Sequence, residues 1–205
     1  MRNAYTGLEI NLFKKLNSPK KIQDYLNSLH INFEEKGETC MSPRFAIKTR
    51  KAHCMEGAML AAAILEFYGA KPWVMDLRAH RRDDDHAVAV FKQFGRFGAI
   101  SKTNHAVLRF REPIYHSIRE LALSFFHEYF DNQGRKTLRE YSRPLDLSRF
   151  DSLNWRVSDK QLFEIPAGLD DAWHHPILNT RQVRNLRRAD KIEIQAGKLV
   201  EWRKI

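Results

Sequence analysis

The sequence predicts an α+β fold in which a cysteine-headed helix packs on a mainly antiparallel sheet. Three observations carry this. Lys51–Gly69, KAHCMEGAMLAAAILEFYG, is rich in Ala, Leu and Met and closes on Gly69, a helix stop signal. Two short apolar runs, HAVAVF (His86–Phe91) and FGAIS (Phe97–Ser101), flank Gln93–Arg96, which contains Gly95 and suits a hairpin turn. Amphipathic stripes lie on either side, one after Ser18-Pro19 and one after Pro113.

Taken in order, Ser18 reads as an N-cap with Pro19 in the first helical position. Ile22, Tyr25, Leu26 and Leu29 then form the buried stripe. Leu26, Ile31 and Phe33 are expected to dock on the core. Ser42-Pro43 marks a turn or a second helix start. The helix beginning near Cys54 places Cys54, Ala58, Ala61 and Leu65 on one face, and small residues there let a sheet come close. Strands are expected at Pro72–Leu77, His86–Phe91 and Phe97–Ser101, with a short one at Ala106–Phe110. A helix over His116–Phe130 buries Ile118, Leu121, Phe125 and Phe126. Beyond Tyr141 the pattern weakens: Trp155–Val157 and Gln161–Ile165 read as short strands, and residues 191–203 as a terminal hairpin turning near Ala196-Gly197. Residues 1–131 form the core with its N-terminal helical segment. Residues 132–205 are a C-terminal extension, either separate or within the same domain.

Composition narrows the function. The 205 residues carry a net charge of +10 and only two cysteines. Two cysteines exclude a disulfide scaffold and a four-cysteine zinc site. No run approaches the ~18 apolar residues of a membrane helix, and the first residues lack a signal-peptide pattern. A soluble cytoplasmic protein with no membrane partner is the expectation. The charge is dispersed, since residues 1–131 and 132–205 each carry +5. Its one concentration is Arg181, Arg184, Arg187, Arg188 and Lys191 at helical spacing. That reads first as a solvated helix face, with a nucleic-acid surface as the lesser reading, because no nucleic-acid-binding signature accompanies it.

Cys54 is the candidate nucleophile. A helix start stabilises a thiolate through unpaired N–H groups and the dipole, and the same N–H groups suit an oxyanion. The competing reading is a buried structural cysteine. His86, at the mouth of an apolar strand, is placed to act as the base a thiol needs. Hairpin geometry puts Ser101 on the face of His86 in either register: opposite it if the turn centres on Gln93-Phe94, diagonal to it if on Phe94-Gly95. Ser101 can then orient the imidazole. Asn104 is the alternative orienter if the strand has ended. A metal site from His80, Asp83–Asp85 and His86 has no diagnostic spacing. No organic cofactor is implied, since there is no glycine-rich phosphate loop, and nothing demands calcium.

The order of these features resembles the core of the transglutaminase-like superfamily, a branch of the papain-like thiol enzymes. The residues that carry the resemblance are His53-Cys54-Met55-Glu56-Gly57-Ala58 with the helix to Gly69, Asp85-His86-Ala87-Val88-Ala89-Val90, and Phe97-Gly98-Ala99-Ile100-Ser101. It covers about residues 40–105, a third of the chain. It implies Cys54 as nucleophile and His86 as base. The family's third position is usually aspartate; here it is Ser101, which orients a ring but supplies no negative charge. Asp83–Asp85 is the alternative source of charge. The implied activity is a thiol-dependent amide or acyl hydrolase or transferase acting on a peptide or other amide. The alternatives are a weak or inactive binding module of the same fold and, third, a basic nucleic-acid binder.

Overall fold

The computed structural model describes residues 4–203 and is α+β. The expectations for the centre of the chain hold closely. Helix α1 spans Gly7–Lys15, α2 Pro19–Asn27 and α3 Pro43–Thr49, with Thr6, Ser18 and Ser42 as side-chain N-caps. A two-residue parallel pair joins β1 (His30–Ile31) to β2 (Lys51–Ala52). Helix α4, Cys54–Phe67, follows at once. Every residue from Met55 to Leu65 is buried, as an apolar helix without a polar face must be.

The main sheet is antiparallel throughout. Its strands are β3 (Trp73–Ala79), β4 (His86–Gln93), β5 (Arg96–Ser101), β6 (Arg111–Tyr115), β7 (Leu138–Ser142), β8 (Leu145–Asp146) and β9 (His174–Pro176). They run in the order β6-β5-β4-β3-β7-β9, with β8 also on β3. Residues beyond 131 therefore supply β7, directly beside β3. Helices cover both faces of the sheet. Val74, Ala87, Ala89, Phe91 and Ile100 pack with α4, while Met75, Leu77, Val88, Val90 and Ala99 pack with Leu121 and Phe125. That is why HAVAVF is apolar at successive positions rather than at alternate ones.

The β4–β5 turn is Phe94-Gly95, with φ of 51° and 77°. Two left-handed residues make the tight turn that matches strand twist. It sets Val88 opposite Ser101, so Ser101 is the diagonal neighbour of His86, the second of the two registers. Close approach of α4 depends on Gly57, where an added Cβ would fall 2.4 Å from Lys102 Cβ.

Several peripheral expectations are overturned. Residues 191–203 do not form a hairpin: α8 is a helix over Lys191–Gly197. Alternation in KIEIQ suggests a strand, but Ile192 stays 72% exposed, and Glu193 accepts the Asp190 amide at 2.6 Å to close the first turn. Gln161–Ile165 runs into α6, Glu164–Asp170, because Ile165 and Leu169 are buried at helical spacing. Trp155–Val157 is a turn following a 3-10 segment, Leu147–Leu153. Ala106–Phe110 is irregular, and the strand begins at Arg111, on an edge that tolerates Pro113. The helix expected over His116–Phe130 is only α5, Ile118–Leu123, with a 3-10 turn at Phe126–Glu128. Arg111 takes the Ser124 carbonyl and the Ser124 hydroxyl takes that of Leu121, acceptors a longer helix would need. Arg181–Lys191 is not one helix face either, since α7 (Thr180–Arg184) ends before Asn185. Among the described residues no helix is long and apolar enough to cross a membrane.

Candidate active site

Cys54 is the first residue of α4, and His53 is its N-cap, in extended conformation. Glu56 completes the cap by accepting the His53 amide at 3.2 Å. Glu56 is almost fully buried, yet it has four further tethers or contacts. It accepts from the Met41 amide at 3.0 Å, the Thr39 hydroxyl at 3.0 Å and Asn32 at 3.1 Å, and it lies 3.6 Å from His53 Nε2. The helix start is thereby tied to the segment that precedes α3. A buried carboxyl group held by this many donors has its hydrogen-bonding capacity filled.

His53 Nε2 lies 2.8 Å from the Thr39 carbonyl, which can only accept, so Nε2 carries a proton. Glu34 stands 3.8 Å from the same nitrogen. Nδ1 faces both the Met55 amide, at a long 3.3 Å, and the adjacent Cys54 sulfur: with its lone pair it accepts from Met55, and in the charged ring it donates to the sulfur instead. Burial opposes a charge on this ring. The hydrogen bond to Cys54, the Glu56 carboxylate and the Thr39 carbonyl outweigh it and raise the imidazole to about 9.

The Cys54 thiol is partly exposed, and both the His53 and the His86 imidazoles act on it. Burial favours the neutral thiol, but the two imidazoles prevail, and the thiol falls from 9.0 to about 5. Cys40 makes the contrast. It is buried against Met59, with its sulfur 3.8 Å from the thioether, and burial pushes it up to about 12.

His86 Nε2 lies 2.8 Å from Ser101 Oγ. The Ser101 hydroxyl has one proton, and it points to the Leu108 carbonyl at 2.6 Å. Ser101 must therefore accept from His86 Nε2–H, which leaves Nδ1 with its lone pair for the thiol. Gln23 of α2 fixes the Ser101 backbone from both sides, accepting its amide at 2.9 Å and donating to its carbonyl at 2.8 Å. Leu108 holds its carbonyl in place through a left-handed conformation, φ 60°, uncommon for a bulky side chain. Its amide is anchored on Glu128 at 2.9 Å.

The three residues singled out from sequence, Cys54, His86 and Ser101, thus form one connected group. The alternatives do not join it. Asn104 is occupied on both sides by the Trp202 backbone. Asp85 accepts the Ala79 amide and Asp83 the Thr137 hydroxyl. His80 and His86 do not converge with these carboxylates as metal ligands. The grouping with that geometry among the described residues is Asp76, Asp85 and Asp170, and Asp76 is already held by His174 at 3.0 Å. His53, Glu56 and Gln23 are the participants the sequence reading missed. For His53 and Glu56 a signal exists, since H-x-x-E heading a helix has the spacing of a capping box. Gln23 carries none, because its partner is 78 positions away.

Comparison with protein-family models and with curated proteins finds no match.

Proposed function

We propose that the protein is a thiol-dependent enzyme acting on an amide or related acyl bond, with a core of the transglutaminase-like type. The observation that carries this is the Cys54 thiol placed between two imidazoles, one of which has its tautomer set by Ser101. The helix on an antiparallel sheet and the chain order Cys54, His86, Ser101 support the family reading.

The chemistry follows from the proton positions. His86 Nδ1 takes the thiol proton, and the Cys54 sulfur attacks the carbonyl carbon. The Cys54 amide, in the first turn of α4, faces the oxyanion as the C–S bond forms. The C–N bond breaks as His86 returns the proton to the leaving amine, leaving a thioester. Water or a second amine then attacks, His86 accepts its proton, and the Cys54 thiolate departs. Hydrolysis and acyl transfer differ only in that last nucleophile.

Ser101 cannot stabilise an imidazolium as a carboxylate does. The negative charge is placed elsewhere in this chain. Glu56 and Glu34 stand behind His53, so His53 supplies positive charge beside the sulfur while His86 carries the proton between the sulfur and the leaving amine. This arrangement answers the observation that favours an inactive binding module, namely the hydroxyl at the third position. The test is labelling by a thiol-directed acyl electrophile in wild type, Cys54→Ala, His86→Ala and Ser101→Ala. Loss of labelling in Cys54→Ala and strong slowing in His86→Ala are expected. Equal labelling of all four proteins would rule the reading out.

A further inference from the structure

We propose that the face around Lys136 binds the phosphodiester backbone of a nucleic acid. Two adjoining cavities share Lys136. One, of about 240 Å³, is lined by His80, Arg82, Asp131, Arg135, Thr137 and Arg139. The other, of about 250 Å³, is lined by Phe126, His127, Leu186, Arg187, Arg188 and Glu193. Together they present six cationic side chains, counting Lys136, against three carboxylates, since Asp190 holds Arg187 from outside the cavities.

These cations are incompletely neutralised. Lys136 is buried, and its ammonium rests on the His127 carbonyl and over the Phe130 ring, with Glu193 only at 3.8 Å. Arg139 reaches two backbone carbonyls, those of Lys136 and Leu138, and burial disfavours its charge. Buried cations ordinarily meet an anion. Arg135 is held by Asp131 and Arg187 by Asp190, while Arg82 and Arg188 stand exposed at the two rims.

The two-part shape decides the ligand class. Successive anions on one strand can occupy the cavities on either side of Lys136, and guanidinium forks match phosphate oxygens in pairs. Phe126 adds an aromatic edge in the second cavity, the element that single-stranded binders combine with a basic groove. The surface is not legible as a charge run. Arg82, Arg135–Arg139 and Arg187–Arg188 come from three separate stretches, brought together where the His80 amide bonds the Thr137 carbonyl and the Ala189 amide bonds that of Gly134. It does not depend on the thiol chemistry.

The experiment is fluorescence anisotropy of a labelled single-stranded RNA 12-mer with the full chain, across a salt series. Arg82→Gln with Arg188→Gln is compared with Lys20→Gln with Lys21→Gln, two exposed lysines of α2, and with Cys54→Ala. The rim pair should weaken binding at least tenfold and flatten the log–log salt slope by about 1.4, while the other variants bind as wild type. Pyrophosphate should compete only weakly and poly-glutamate less than RNA. Unchanged binding in the rim variant, an equal loss in the α2 variant, or displacement by poly-glutamate as effective as by RNA would each overturn the proposal.

Discussion

Replacing His53 by Asn separates its two roles. Asparagine is a strong N-cap, so α4 keeps its start and stability changes by only a few tenths of a kcal/mol. The imidazole charge beside Cys54 is removed. The fall of the thiol from 9.0 to about 5 corresponds to about 5 kcal/mol favouring the thiolate. Burial opposes this fall, so the two imidazoles together supply more than the net difference, and losing one raises the thiol substantially. At pH 6 most of the thiolate is then lost, so alkylation by iodoacetamide should slow roughly tenfold or more. At pH 9 both proteins are mainly thiolate and the rates converge. Stopped alkylation with mass readout of the Cys54 peptide across pH 4–9 measures this. A variant profile superimposing on wild type would refute the role assigned to His53. A reduction equal at every pH would point to disturbed structure instead of lost charge.

Other substitutions probe the supports of the site. Ser101→Ala removes the acceptor for His86 and the donor to Leu108, so turnover of an acyl electrophile should fall roughly tenfold, with urea denaturation showing about 1–3 kcal/mol of lost stability. Gly57→Ala drives a Cβ into Lys102. Despite the better helix propensity, it should cost about 1–3 kcal/mol and slow Cys54 labelling, because Ser101 adjoins the displaced lysine. Glu66→Gln leaves the buried Arg156 short of its paired carboxylate, which it grips at 2.5 and 2.6 Å. The expected loss is about 3 kcal/mol in chemical denaturation with labelling unchanged in the folded protein.

What was legible in the sequence was local or periodic. Ser18, Ser42 and Gly69 mark helix ends by their own chemistry, and Cys54 starts its helix where the apolar run begins. The β4–β5 hairpin is short enough that both candidate registers put His86 and Ser101 on one face. Failures came where a longer-range contact chose between readings. KIEIQ became a helix through its cap and through Ile194 lying against Gly134. Residues 161–165 read as a strand only because their helical partner, Leu169, lies beyond that window. Gln23 and Ser101 are joined by tertiary folding, and spacing gives no hint of it. Dispersion of charge along the chain likewise says nothing of its placement in space: Arg82, Arg135 and Arg188 are far apart in sequence yet line two adjoining cavities.

The proposed chemistry requires Cys54 to be a thiolate at neutral pH, held so by its imidazole neighbours. The pH dependence of its alkylation in the wild-type protein, read by peptide mass, tests it most directly. A midpoint near 5 and a plateau through pH 6 to 8 are expected, with Cys40 unmodified. A Cys54 rate that climbs only through pH 8 to 9, as for an ordinary thiol, would contradict it.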